Sequence, residues 1–557
     1  VNQFIDSLSS KKLLSSLSFA FKFTYPYLYR NQIKDMKRNS FITMSAVFFA
    51  AQITLVNAQT KSEEKLNPIV QSFVNEANNN SQLEDMAYEL LDEIGPRLVG
   101  TPEMLAANNY TANKLKSWGI DANLQQFGTW KGWQRGTTHV DLVYPRTKTL
   151  SATQLAWSPA TKKAVEAEVV ILPKVSSKAE FDKWLPSAKG KIVLMAQYQK
   201  IGRSDEQIKE FATPELYEKL KAEKEQAKKD FADYIKTIGY DNTTLPEALE
   251  KAGAAGIAIS NWTGIHSTNR IFGAKTKSIP MFDIDLEDYG MLYRMAEKGT
   301  KPRIKVDVQS KVLPEAKSFN TIGMIKGSEK PNEYVILSAH LDSWDGAQGA
   351  TDNGTGTLTM LETMRILKKY YPNPKRTIVV GLWGSEEQGL NGSRGFVADN
   401  PEIIKGVQAV FNQDNGTGRV VDISGQGFKD SYAYVGRWLD AAPKKVRDQI
   451  KSTFPGMPGG GGSDHASFVA AGVPGFSLSS LNWGYFGYTW HTTKDTYDKI
   501  VFDELKNNVI LTATLAYMAS EDPEFTSREK RVMPNNDKGE PAKWPEAKEP
   551  RRSSKDY

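Results

Sequence analysis

Residues 333–356 read EYVILSAHLDSWDGAQGATDNGTG, and this stretch decides the fold. Tyr334 to Ala339 form a nearly continuous apolar run without the alternation of a half-buried strand. The run stops at His340-Leu341-Asp342, and a glycine-rich loop then carries Asp352-Asn353-Gly354. From Thr355 to Tyr371 the spacing turns helical, with Leu358, Leu361, Ile366 and Leu367 apolar. Two more apolar runs follow, RTIVVGLWG (376–384) and VQAVFNQD (407–414). Strands that are apolar on both faces and separated by helical segments predict an α/β fold, with a mostly parallel sheet covered on both sides.

Each of the three runs ends in residues that can bind a metal. The first gives His340 and Asp342, and the loop beyond it Asp352. The second gives Glu386-Glu387 and the third Asp414; a later segment gives Trp490-His491-Thr492-Thr493. Open α/β sheets build their sites outside the carboxyl ends of the strands, where these residues fall. Taken singly, a histidine at a strand end, a Glu-Glu pair and an Asp-Asn-Gly turn are weak signals; their conjunction on successive strands is not. His340, Asp352, Glu387, Asp414 and His491 make a donor set of two imidazoles and three carboxylates, which suits zinc. Five ligands with one bridging carboxylate would serve two ions. Alternation puts Asp342 on the side of His340, where it can accept the second ring N–H and fix the tautomer. Glu386 adjoins a ligand and is better placed to take a proton from water and pass it to a leaving amine.

Composition narrows the classes. The 557 residues contain no cysteine, which excludes disulfides, thiolate metal sites and a cysteine nucleophile. Formal net charge is +6. Residues 1–58 hold seven basic and two acidic side chains, a net of +5, so the remainder is close to neutral and offers no basic surface for nucleic acid. A serine hydrolase is disfavoured because no G-x-S-x-G elbow is present.

From Met36 the chain reads MKRNSFITMSAVFFAAQITLVNAQT, with Lys37 and Arg38 before an apolar stretch and Val56-Asn57-Ala58 as a small-residue cleavage site. This is the grammar of a signal peptide, expected at 36–58, with 1–35 read as a spurious upstream extension. A secreted or periplasmic protein without a membrane anchor after cleavage is expected. Residues 83–95 and 103–117 read as helices, and 120–145 as strands. Residues 146–312 read as an inserted β-rich module with strand-like runs, a solvated charged helical stretch near 205–237 and no catalytic cluster. Residues 526–557 form a polar tail, expected to be mobile.

The segments HLDSWDGAQGATDNGTG (340–356), GSEEQGLNGS (384–393), NQDNGTG (412–418), GSDHASF (462–468) and WHTTKDT (490–496) resemble the M28 family of co-catalytic zinc peptidases. GPRLVGTPE and the HLDSW motif look most like its carboxypeptidase Q-like branch. The resemblance implies a zinc-exopeptidase fold over 59–145 and 313–525, interrupted by a protease-associated (PA) domain at 146–312. It implies two zinc ions, one on Asp352, Glu387 and His491, the other on His340, Asp352 and Asp414. Asp352 would bridge, Glu386 would be general base and then acid, and Asp342 would support a ligand. It also implies a cis peptide between Asp352 and Asn353 and short peptides or dipeptides as substrates. Many relatives place a tyrosine directly before the last histidine; here Trp490 stands there, leaving Tyr485 and Tyr488 as candidates to steady an oxyanion. The loop Gly459–Gly462 is expected beside the cleft, Asp495 as a helix N-cap, and His139 and His266 as structural. Two rivals share the fold: a single-zinc glutaminyl cyclase-type aminoacyltransferase and a non-catalytic receptor-like protein.

Overall fold

The computed structural model describes residues 64–556 except Asn415 and Asp537. The expected upstream extension at 1–35 and signal peptide at 36–58 lie outside the described residues. Strands β1 (Asp121–Tyr144), β2 (Lys148–Thr149), β3 (Ala152–Gln154), β4 (Val165–Ile171), β5 (Ile192–Leu194), β6 (Gly256–Ile259) and β7 (Met281–Ile284) come first. They are followed by β8 (Arg303–Ile325), β9 (Lys330–His340), β10 (Arg376–Trp383), β11 (Val407–Asn412), β12 (Val420–Ser424), β13 (Lys451–Thr453) and β14 (Gly475–Ser480). They join in one 14-stranded sheet, with the path β13-β12-β14-β11-β9-β10-β8-β4-β5-β6-β7-β3. The three apolar runs are β9, β10 and β11, and β9 pairs parallel with both of the others.

Burial on both faces explains the lack of alternation. Val335, Leu337 and Ala339 of β9 pack with Leu358 and Leu361 of the helix Thr355–Tyr370 and with Val509 of the helix Phe502–Glu521. Ile336, between them in sequence, packs on the opposite face with Val379, Phe396 and Phe468. Each such side chain contributes about 1.5–3 kcal/mol when fully buried, so a polar residue is disfavoured at every position.

The rest of the sheet is carried by a long ribbon. β1 and β8 run antiparallel over 24 and 23 residues, so the stretch read as several strands in 120–145 is one, kinked by register shifts. Beyond β8 lie β4, β5, β6 and β7, joined in parallel from β4 to β7 and alternating with helices such as Thr244–Lys251 and Leu286–Glu297. The charged stretch forms two helices, Asp205–Phe211 and Pro214–Thr237, separated where Thr213 caps the second and Pro214 opens it. No residue of Pro214–Thr237 is buried. The segment 83–95 starts as an α-helix, Leu83–Ala87, and continues as a π-helical turn, Tyr88–Ile94.

The tail is not the mobile segment its composition predicts. Arg528 donates to the carbonyls of Ile404, Lys405 and Val407, Trp544 Nε1 to Val469 O, and Arg552 pairs with Asp399. Thr129 N of β1 donates to Arg552 O at 2.8 Å. Arginine forks and one indole anchor it, an effect that net polarity conceals. Among the described residues no helix is long and apolar enough to cross a membrane.

Candidate metal centre

The parallel strands β9, β10 and β11 end on one side, and the predicted residues meet there. His340 closes β9, Glu386-Glu387 follow β10 and Asp414 follows β11. Asp352 stands in the turn that opens the helix Thr355–Tyr370, and His491 comes from the loop after β14. His340 Nε2 lies 3.1 Å from Asp414 Oδ1 and 3.3 Å from Asp352 Oδ1. His491 Nε2 lies 2.8 Å from Glu387 Oε2 and 3.1 Å from Asp352 Oδ2. Asp352 therefore turns one oxygen to each of two histidine–carboxylate pairs. Ligand atoms of His340, Asp352 and Glu387 all lie within 4.8 Å of one another. The Asp352–Asn353 peptide is cis, as the resemblance implied.

Asp342 faces the second ring nitrogen of His340 with two oxygens: His340 Nδ1 lies 2.9 Å from the Asp342 backbone carbonyl and 3.5 Å from its carboxylate. The carboxylate also accepts the amides of Glu386 and Glu387, at 3.0 and 3.3 Å, which makes Asp342 a clamp on the Glu386-Glu387 turn as well. Ser385, just before that turn, takes a left-handed backbone (φ 59), and so does His491 (φ 59), a conformation that non-glycine residues hold only when their surroundings enforce it.

Three further groups frame the centre. Arg97, from the GPRLVG segment, is fully buried and donates to the carbonyls of Leu341, Gly95, Gln348 and Gly349. Burial lowers its pKa to about 10, against the pull of Asp495, Asp342, Asp352 and Glu387, so it stays charged at neutral pH. Asp495 is not a helix N-cap. It is buried and accepts from Thr351 N, Thr351 Oγ1 and Asp352 N, at 2.7, 2.8 and 3.0 Å. Asp464 is buried beside the same cluster, and burial pushes it up to about 7 despite His340. The GPRLVGTPE segment carries the resemblance but gives Arg97 no role, because its partners are backbone carbonyls.

The electrostatics ask for a cation. Burial drives Glu386 well above the ordinary carboxylate range, with Asp414, Asp464 and Glu387 adding repulsion and His340 opposing. Burial likewise raises Glu387 to about 7 against His491. His491 rises to about 10 because Glu387 and Asp352 outweigh its burial. Asp352 is held below its ordinary range, since the facing His340 and His491 imidazoles outweigh burial. Glu387 Oε1 and His491 Nδ1 are buried without a hydrogen-bond partner, and Asp352 Oδ2 faces His491 outside hydrogen-bonding geometry. Buried carboxylates in such excess are costly unless paired or bound to metal. The donor set fits zinc.

Around the centre, Trp490 stacks on His491 with ring centroids 3.8 Å apart. Tyr485 is buried, its pKa raised by burial and by Asp352, Asp414 and Glu387; Tyr488 instead carries the Lys499 ammonium 5.7 Å from its ring. Gly459 N donates to Gln426 Oε1, whereas Gly460 and Gly461 have nothing near the position a Cβ would take, so the loop is open there. His139 and His266 are exposed.

Residues 320–516 match the family described as Peptidase family M28. Carboxypeptidase Q of Xenopus laevis is 29% identical over 423 residues, covering 74% of this chain and 81% of that protein. Carboxypeptidase Q of Rattus norvegicus is 28% identical over 446 residues, 79% of this chain and 85% of that protein. Two solved structures share the fold. A Peptidase M28 precursor from Shewanella amazonensis SB2B is 24% identical, covers 82% of this chain and 98% of its own, and has a TM-score of 0.61. BSAP, a zinc aminopeptidase from Bacillus subtilis, is 20% identical, covers 80% of this chain and 96% of its own, and has a TM-score of 0.52. With a buried histidine–carboxylate cluster at the strand ends of the matched segment, this chain carries a metallopeptidase domain of family M28.

Proposed function

We propose that the protein is an exported exopeptidase acting on short peptides or dipeptides with two zinc ions. His340, Asp352 and Asp414 would hold one ion, and Asp352, Glu387 and His491 the other. The observation that carries this reading is the placement of the two Asp352 oxygens, one toward each histidine. Bound zinc supplies a Lewis acid that polarises the scissile carbonyl and acidifies water. Glu386 accepts the proton from the attacking water and returns it to the leaving amine. Its high proton affinity in this buried setting favours the first transfer, and the Asp342 carboxylate holds its backbone in place. Tyr485, neutral and close to the same acids, is the group we assign to steady the carbonyl oxygen. The strained backbone of His491 is supported by the segment 146–312, read as the inserted PA domain, through Ile271 N donating to His491 O at 2.7 Å.

Export rests on the signal-like segment after Met36, and N-terminal sequencing of secreted protein tests it. For the chemistry, a free dipeptide, an aminoacyl anilide and an N-blocked peptide are compared with and without chelator. Glu386→Gln is expected to retain zinc and lose most turnover, by about 100-fold or more. Full activity in that variant removes the proposed base. Metal analysis giving one zinc per chain, together with pyroglutamate release, would instead favour the aminoacyltransferase.

A further inference from the structure

The turn that carries Glu386 is strained, and strain of this kind has to be held by its surroundings. Ser385 and Leu390 both take left-handed backbones (φ 59 each), and Gly389 before Leu390 stands at φ 118. Such conformations persist only where neighbouring groups over-determine them. From within, Gly389 N and Leu390 N donate to Glu386 O at 2.7 and 2.8 Å, and Asn391 N donates to Ser385 O at 3.1 Å. The fully buried Asn391 side chain adds Nδ2 bonds to Ser385 Oγ and Gln388 O, at 3.1 and 3.3 Å. On the side of the metal centre, the Asp342 carboxylate holds the Glu386 and Glu387 amides. Gln388 is buried too, but among the described residues neither polar atom of its side chain has a hydrogen-bond partner, so that side chain is no anchor.

The outer side of the turn is held by the far end of the chain. Arg551 N donates to Asn391 Oδ1 at 2.9 Å, and Arg551 Nη1 donates to Gln388 O at 3.3 Å. The same Nη1 lies 3.8 Å from where a Cβ on Gly389 would stand. The next residues fasten this contact to the ribbon. Arg552 O accepts from Thr129 N at 2.8 Å, and Arg552 Nη1 donates to Phe127 O at 2.9 Å. Lys131 N donates to Ser554 Oγ at 3.1 Å. Gly128 leaves room for this close approach, since a Cβ there would stand 2.5 Å from Arg552 O. Arg552 also pairs with Asp399 at 2.6 Å, so the tail holds the first and the last residue of the helix Asn391–Asp399 that follows the turn.

We propose that Arg551 is a positioning residue for the turn Ser385–Leu390, through which the end of the chain sets the aim of Glu386. This inference rests on the reading of Glu386 as the proton carrier and adds what keeps it aligned with the centre. Asp342 pins the amides on one side of the turn and Arg551 the Gln388 carbonyl on the other. Without the outer hold the turn can pivot about the Asp342 bonds. Glu387, a ligand in the same reading, is tethered by its ion, whereas Glu386 has no such tether. The loss therefore falls on proton transfer rather than on zinc binding, and small displacements of a reacting group cost rate steeply.

The test uses the zinc-loaded full protein with a free dipeptide and an aminoacyl anilide. Arg551→Ala is expected to lower kcat by about 3- to 10-fold on the substrate that wild-type protein cleaves, with KM within about twofold and zinc content unchanged. Arg551→Lys should recover most of the loss, because an ammonium still donates to the Gln388 carbonyl. Gly128→Ala displaces the tail without touching the turn and should lower kcat in the same way. Hydrogen exchange read by mass spectrometry should quicken in 385–391 and not in 334–341. Arg528→Ala is the control: it loosens the start of the tail and should lower the thermal midpoint at wild-type kcat. Wild-type kcat and exchange in Arg551→Ala would overturn the proposal and leave the peptidase reading intact. So would equal kcat losses in Arg551→Ala and Arg528→Ala, since the tail would then act through stability alone. Wild-type protein that cleaves neither substrate sinks the exopeptidase reading, and the positioning role with it.

Discussion

Asp495 shows how a single buried carboxylate can shape a centre it need not ligate. It accepts from both amides of the Thr351-Asp352 turn and from the Thr351 hydroxyl, so the direction of the Asp352 oxygens depends on it. Asp495→Ala is expected to weaken zinc binding by about 10- to 100-fold, as loss of a group that orients a ligand does. It should also cost about 1–3 kcal/mol of stability, because buried N–H groups lose their acceptor. Competition with a chromophoric chelator and urea denaturation read the two effects separately. Unchanged zinc affinity would contradict the orienting role. The sequence marks His340, Glu387 and His491 as ligand types at strand ends and in a motif; Asp495 shares the WHTTKDT motif, but nothing in it distinguishes an orienting acid from a helix cap. The partners of Asp495 are amides some 140 residues away, and an amide carries no residue-specific signal. The second task of Asp342 was hidden for a related reason: besides facing His340 Nδ1 it accepts the backbone amides of Glu386 and Glu387.

Between elements, the helix Pro68–Asn79 is tied to the helix Thr355–Tyr370 by a buried acid. Glu76 accepts from Arg365 Nη1 at 2.6 Å, from Lys369 Nζ and from the Tyr370 hydroxyl. Burial alone would raise its pKa. The hydrogen bonds from Arg365, Lys369 and Tyr370 outweigh burial and lower it from 4.5 to about 2. A carboxylate whose pKa falls on folding stabilises the fold above its unfolded pKa, and that contribution is lost as pH drops through the folded value. Wild-type protein is therefore expected to lose this contribution between about pH 4.5 and pH 2. Glu76→Gln should be less stable at pH 7 and show a shallower decline over that window. Urea midpoints measured at pH 7, 4.5 and 3 decide it, and parallel profiles for the two proteins would contradict the assignment. Glu76→Ala should cost about 3 kcal/mol at pH 7, the low end for breaking a buried pair, since Arg365 keeps Glu362.

At the scale of the molecule, the parallel strands were legible because burial on both faces leaves an unbroken apolar run, as in β9 to β11. The ribbon was less so: β1 mixes Gly128, Gly132 and Gly136 with bulky side chains, and its register shifts interrupt any period. The tail was misread because polarity reports solvation, whereas its anchors are side-chain donors on backbone carbonyls and the Trp544 ring against Phe428. Deleting residues 526–557 is expected to lower the thermal midpoint and speed proteolysis near Gly456–Gly462, where Arg531 donates to Gly456 O. Scanning calorimetry and limited proteinase K digestion check this, and an unaltered midpoint would show that the tail carries no stability.

The ribbon of β1 and β8 has a mechanical consequence. A segment joined by two loose strings could swing away to admit substrate, but 146–302 is joined by two long strands hydrogen-bonded to each other. Swinging it would mean breaking successive rungs or bending the beam where it already yields, at the register shifts around Gln126–Gly132 and Arg135–Thr138. Such a beam is expected to bend as a leaf spring, so the segment should move over His491 by flexure of small amplitude rather than by a free swing.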